Sequence, residues 1–155
     1  MRVKYPSLET RWVSRIHKWV PQVPMIFIES AYYGGLYCPP RSEEYVFEGR
    51  NVNLTDGLIV VCEDQKRNDE LVAHEWRHHH QHCSGVVYDG IGWPPDLEDS
   101  YDNNIINYFS QSDCELDALL FSSRFVVTET TLYWLELLEK EGVVMYTNKK
   151  WYGWL

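Results

Sequence analysis

The feature that most constrains this chain is a strand followed closely by a histidine-rich helix. Gly57-Leu58-Ile59-Val60-Val61-Cys62 is apolar and rich in β-branched residues, which predicts a strand. Asn68 then offers an N-cap, and Asp69 and Glu70 fall in the first turn, where the helix dipole favours acids. The predicted helix runs to about Cys83, with Gly85 as its C′ residue. Inside it stands His74-Glu75-Trp76-Arg77-His78. Histidines four apart share one helix face, so both imidazoles can reach a single ion. Glu75 neighbours His74 around the helix and can reach a water on that ion without being a ligand. A metal lowers the pKa of such a water and the carboxylate can take its proton, the arrangement that metal-assisted hydrolysis requires. The alternative is a surface helix with a polar, histidine-rich face.

Three more histidines follow. His82 lies on the face of His78 but cannot share an ion with His74, because eight residues of straight helix rise about 12 Å. It is read as cleft-lining or solvated, and His79 and His80 as surface or supporting residues. A catalytic zinc site usually takes three protein ligands and keeps one position open. No histidine occurs after His82, and the other one, His17, precedes the motif. The third ligand is therefore sought among carboxylates, with Cys83 and Cys114 behind them. Asp89, Asp96, Glu98, Asp99 and Asp102 lie in a long loop; Asp113, Glu115 and Asp117 open the next helix. A rigid helix positions a ligand better than a loop. Glu115 is the first candidate, since Ala118 three residues on lets its helix approach the histidine helix; Asp113 is the second. The competing role for Glu115 is a capping box, because Ser112-Asp113-Cys114-Glu115 fits Ser-x-x-Glu.

The remaining elements are less sharply marked. Leu8, Trp12, Ile16 and Trp19 predict a helix from about Ser7 to Val20, stopped by Pro21. Met25–Ile28 and Tyr45–Phe47 read as strands, the second followed by a turn at Gly49-Arg50-Asn51. Gly34-Gly35 and Pro39-Pro40 read as punctuation. Gly85 to about Asn104 reads as a long, functional or mobile loop. A helix is expected from Ser110 or Ser112 to about Val127, and another from Leu132 to Glu141, ended by Gly142. Whether these are one helix or two is open, as is whether the aromatic tail from Trp151 to Leu155 packs on the body or contacts a partner.

A length of 155 residues, 45% of them hydrophobic, predicts one domain over 1–155 with an ordinary core. Seven Trp and eleven Tyr supply much burial per residue. The net charge of −9 argues against a nucleic-acid partner, which needs clustered Lys and Arg. No apolar segment is long enough to span a bilayer. No secretory h-region follows Met1, and the four cysteines form no Cys-x-x-Cys pair; the expectation is a cytoplasmic protein with free thiols.

The strand, then His74 to Gln81, then Glu115-Leu116-Asp117-Ala118-Leu119-Leu120-Phe121-Ser122 on a later helix, resembles the small gluzincins. It looks closest to the IrrE/ImmA-like and phage-borne metallopeptidases, whose pattern is an HExxH helix followed by a helix with Glu-x-x-Ala. The resemblance covers roughly residues 57 to 125. It implies an α+β fold with a minimal zincin-like core: a small, twisted, partly antiparallel sheet packed on the active-site helix, with two or three further helices. It implies Zn2+ held by His74, His78 and Glu115, with Glu75 as general base. The family often carries an acid just after the alanine; Leu119 stands there, so that partner is absent or displaced to Asp117. The implied activity is hydrolysis of a peptide or protein substrate, the peptide pairing along an edge strand near Leu58–Cys62. Tyr101, Tyr108 and His82 are candidate oxyanion donors. The rival readings are a non-catalytic zinc-binding or protein-interaction module on a peptidase scaffold, and a structural zinc domain of a phage or mobile element.

Overall fold

The computed structural model describes residues 2–4, 19–21, 23–29, 34–65 and 67–153. In chain order the strands are β1 (Arg2–Lys4), β2 (Trp19–Pro21), β3 (Met25–Ile28), β4 (Gly35–Cys38), β5 (Glu44–Phe47), β6 (Arg50–Asn53) and β7 (Leu58–Cys62). Helices α1 (Asp69–Cys83), α2 (Tyr101–Ser110), α3 (Asp113–Ser122) and α4 (Glu129–Lys140) follow, and β8 (Val144–Thr147) and β9 (Lys150–Gly153) close the described chain. The architecture is α+β, as the sequence predicts. No described helix is long and apolar enough to cross a membrane.

The largest sheet has three strands in the order β3-β7-β4, with β3 parallel and β4 antiparallel to β7. Every residue of β7 is buried, as suits a continuous apolar run covered on both faces. Leu58 and Val60 pack with Ile28, Cys38 and Leu54, and with Phe47 and Val52 of the β5–β6 hairpin. Ile59 and Val61 alternate to the other face, where α1 lies. This corrects the expectation of a peptide-binding edge at Leu58–Cys62. Both sides of β7 are already paired, and among the described residues the outer strands of this sheet are β3 and β4.

β4 is the strand that the sequence conceals. Its four residues lie between Gly34-Gly35 and Pro39-Pro40, which read as loop. Gly35 and Tyr37 pair with Val61 and Ile59, so they share the face that meets α1. A Cβ on Gly35 would lie 3.1 Å from Leu71 Cδ1 and 3.3 Å from Glu75 Cγ. The missing side chain lets the Glu75 turn of α1 sit close to the sheet.

α1 begins and ends as its sequence signals. The Asn68 side chain accepts from the Leu71 N–H, and Gly85 takes φ +79° as the C′ residue. The Gly85 and Val86 amides return to the His82 and Gln81 carbonyls, a Schellman closure. α3 packs along α1 and is buried on nearly all sides. Ile105, Phe109, Leu116, Leu119, Leu120, Leu135, Leu138, Val144 and Trp151 form a second core among α2, α3, α4 and the β8–β9 hairpin. Trp151 therefore settles the aromatic tail as far as Gly153 onto the body of the protein; Trp154 and Leu155 lie outside the described residues.

Other boundaries differ from expectation. Residues 7–18 of the expected first helix lie outside the described residues, whereas Trp19 and Val20 belong to β2, paired antiparallel with β1. The β5–β6 turn is Glu48-Gly49, both at positive φ, so Arg50 and Asn51 already belong to a strand. α2 occupies Tyr101–Ser110 and so begins inside the expected loop, which extends to about Asn104; Ser100 caps it by accepting from the Asn103 N–H. α3 stops at Ser122, and Thr128 caps a separate α4. All four cysteines are free.

Candidate metal centre

His74 and His78 lie one turn apart on α1, with ring centroids 4.9 Å apart. Both present Nε2 to the Glu115 carboxylate at the start of α3. His74 Nε2 is 3.0 Å from Oε2, and His78 Nε2 is 3.1 Å from Oε1. One donor atom from each of the three residues lies within 4.8 Å of the other two. His78 and Glu115 are buried and His74 is partly exposed, so the cluster opens to solvent on the His74 side.

Glu115 is free to face the histidines because other groups cap its helix. Ser112 Oγ accepts from the Glu115 N–H, which is half of the expected capping box. The reciprocal half is absent, since the Glu115 carboxylate points at His74 and His78. Asp89, reaching over from the 84–100 loop, accepts from the Asp113 and Cys114 amides and from Ser112 Oγ. An acid at a helix N-terminus is stabilised by the exposed amides and the dipole. Asp89, one of the loop acids weighed as a ligand, thus joins Ser112 in capping α3, and Glu115 stands in the donor cluster.

His78 is held by a chain of hydrogen bonds. Its Nδ1 is 2.9 Å from Gln81 Oε1. Gln81 Nε2 donates to the Cys114 carbonyl and to Asp117 Oδ2. With the amide N–H groups so used, Gln81 Oε1 is an acceptor, and His78 Nδ1 must carry a proton. In the neutral ring the lone pair is then on Nε2, the atom facing Glu115. Asp117 thus acts on His78 through Gln81. The bond from the other ring nitrogen commonly sets the orientation of a ligand histidine.

Burial alone would raise the Glu115 carboxyl pKa, but hydrogen bonds and charge from His74 and His78 outweigh it and hold it well below the usual range. For His78, burial disfavours the cation, yet Glu115, Glu75 and Gln81 together push its pKa up to about 9. Glu75 is buried and its pKa is raised, first by desolvation and also by Glu115, against the lowering pull of the two histidines. Tyr88 and Tyr108 are both pushed above the usual phenol value, by burial first and then by the charge of Glu115.

The His78 value gives a pH prediction for the metal-free protein. Its folded pKa lies above the unfolded value near 6.5, so its stabilising contribution is full below pH 6.5 and disappears as pH rises through about 9. A cation bound at Nε2 must displace that proton. The affinity of this cluster for a divalent cation such as Zn2+ should therefore climb with pH and level off near 9, measured by competition with a chromogenic chelator. Levelling near pH 6.5 would show that Glu115 does not hold His78 protonated.

The structure thus brings together His74, His78 and Glu115, with Glu75 alongside. Asp113 stays at the first turn of α3, its N–H bonded to Asp89. Cys83 lies against His79, and Cys114 Sγ donates to the Val87 carbonyl. His82 is exposed, whereas His79 and His80 are buried. Their burial rules out the surface alternative of their reading and leaves the supporting one: His79 Nδ1 meets Tyr37 Oη at 2.6 Å, and His80 Nδ1 meets Arg77 at 2.9 Å. Tyr101 Oη accepts from Trp134 Nε1. Asp96 and Asp99 accept from nearby amides, and Asp102, which lies in α2, accepts from Tyr133 Oη of α4.

Two residues escaped the sequence reading. Gln81 had a legible signal, three residues after His78 on the same helix face. Tyr88 had none, because its link to Glu115 exists only in the folded chain: its hydroxyl donates to Oε1 at 2.8 Å. No family model matches the sequence, and no curated protein or solved structure is significantly similar to it.

Proposed function

We propose that the chain is a zinc-dependent metallopeptidase in which His74, His78 and Glu115 hold the ion and Glu75 is the general base. The observation that carries this reading is the convergence of two imidazole nitrogens and one carboxylate oxygen within 4.8 Å, on a cluster open at His74. Donors around a tetrahedral ion with bonds near 2.1 Å lie about 3.4 Å apart, so the set suits zinc with small adjustments. Three protein donors leave one coordination position for water or substrate, as catalytic sites do and structural sites do not. A Zn2+ held there would supply Lewis-acid polarisation of a carbonyl and a lowered water pKa. Glu75 would take the proton from that water and return it to the leaving amine, a role suited to a carboxylate with a raised pKa.

A peptide substrate is favoured by the position of β4. Its outer edge is unpaired among the described residues, and Gly35 on it adjoins Glu75. An extended peptide adding to β4 would bring a backbone carbonyl past the base, the role first assigned to Leu58–Cys62. Tyr108, whose hydroxyl feels the charge of both Glu115 and Glu75, is the remaining oxyanion donor of the three considered.

The test is metal analysis of the purified chain together with cleavage of a fluorogenic peptide library. One zinc per chain is expected, with cleavage abolished by chelation and restored by zinc. Glu115→Ala should weaken zinc binding by at least about 100-fold, the upper range for loss of a mere supporting partner. Undiminished binding in that variant would remove Glu115 from the site. Zinc bound without cleavage of any peptide would favour a binding module.

A further inference from the structure

Tyr88 is placed more deliberately than a half-exposed loop residue needs to be. Its hydroxyl donates to Glu115 Oε1 at 2.8 Å, and its ring stands edge-on to His78 with centroids 5.7 Å apart. Both chain neighbours are fastened to the first turn of α3, which also carries Glu115. The Val87 carbonyl accepts from Cys114 Sγ, and Asp89 accepts from Ser112, Asp113 and Cys114. Two residues on, Gly90 provides the space for the ring. A Cβ there would lie 1.9 Å from Tyr88 Oη and 2.1 Å from its Cζ, overlaps that only movement of the phenol could relieve.

From this geometry we infer that Tyr88 is a positioning residue that holds Glu115 as a one-oxygen metal ligand. A phenol at neutral pH is a donor, and it binds the carboxylate at Oε1. Oε1 also lies 3.1 Å from His78 Nε2, so the phenol competes with an ion for that oxygen, whereas Oε2, 3.0 Å from His74 Nε2, is the oxygen left to the ion. A carboxylate without such a partner is free to bind a cation through both oxygens, which would fill the position that a catalytic site keeps open. The inference rests on the metal centre proposed above and adds a reason for that centre to stay open.

The test uses the full chain, Tyr88→Phe, Gly90→Ala and the double variant. Tyr88→Phe removes only the hydroxyl; Gly90→Ala keeps it and displaces the ring. Each should weaken zinc binding about tenfold, the lower end of the range for a ligand's hydrogen-bond partner. The double variant should be no weaker than either single, because both delete one interaction. Cobalt-loaded Tyr88→Phe should show weaker visible absorption than cobalt-loaded wild type, the mark of a rise from four to five donors.

Unchanged affinity and spectra in both single variants would overturn the role of Tyr88 while leaving the metal centre standing. Additive losses, with lower melting temperatures of the metal-free chain, would reduce Tyr88 to a packing residue. A phenolate-to-metal charge-transfer band in the copper-loaded wild type, lost in Tyr88→Phe, would make it a ligand instead. A wild-type chain that takes up no zinc would defeat the centre itself and the inference with it.

Discussion

Glu75→Gln should retain zinc and lose peptide cleavage by a factor of about 10²–10⁴, the range for removing a general base. The reasoning starts from shape. Glutamine has nearly the volume of glutamate, so the packing of this side chain beside Gly35 and Leu71 survives. The three clustered donors do not include Glu75, so their geometry is untouched. What changes is basicity, since an amide accepts no proton from water near neutral pH. Affinity and turnover must therefore separate in this variant. Loss of zinc would place Glu75 among the ligands, and cleavage within tenfold of wild type would place the base elsewhere.

Asp117→Ala should destabilise the metal-free protein by about 3–5 kcal/mol, as expected when one partner of a buried ion pair is removed. Arg77 Nε and Nη2 donate to Asp117 at 2.7 and 3.2 Å, and both side chains are almost wholly buried. The guanidinium also lies over the Phe121 ring, 4.9 Å from its centroid, and reaches His80. Without Asp117 it would remain a buried cation without its carboxylate. Gln81 would lose an acceptor as well. Replacing both charges, as in Arg77→Met with Asp117→Leu, should be milder than the single change, because no isolated charge is left. Denaturant titration with chelator present measures this free of the stabilisation that bound zinc adds. A single variant within 1 kcal/mol of wild type would mean that water reaches Arg77.

The histidine pair of the donor cluster was legible because its signals are local. The spacing of His74 and His78, the Asn68 cap and Gly85 at the C′ position each depend on a few consecutive residues, and the structure places them as the sequence predicts. The absence of a later histidine pointed to a carboxylate, and a place on a rigid helix with Ala118 three residues on put Glu115 first among the acids. The ambiguity about its cap was not resolvable, because the decisive group, Asp89, comes from a loop 26 residues earlier. β4 was hidden for a similar reason. Four residues flanked by Gly and Pro look like a turn until β7 pairs with them. α2 was missed because Asn103, Asn104 and Asn107 have poor helix propensity, and burial of Ile105 and Phe109 outweighs that weakness. The interior placement of His79 and His80 could not be inferred from residue type. Both are polar, and their burial is made tolerable by partners such as Tyr37, which folding brings beside His79, and Arg77, one turn before His80 on α1.

The division of the interior into two apolar cores has a mechanical consequence. One core lies between the three-stranded sheet and the β5–β6 hairpin, the other among α2, α3, α4 and the last hairpin. α1 rests on the sheet and α3 belongs to the second core, so the boundary between the halves runs between these two helices. Phe121 against Ala73 and Trp76 is an apolar part of that boundary, and the His74, His78 and Glu115 cluster shares its polar part with the Arg77–Asp117 pair. An ion placed there would act as a rivet joining two separately filled halves. Its affinity would then be a strain gauge: a substitution far from any donor that loosens the two halves would register first as weaker zinc binding, before either core had begun to melt.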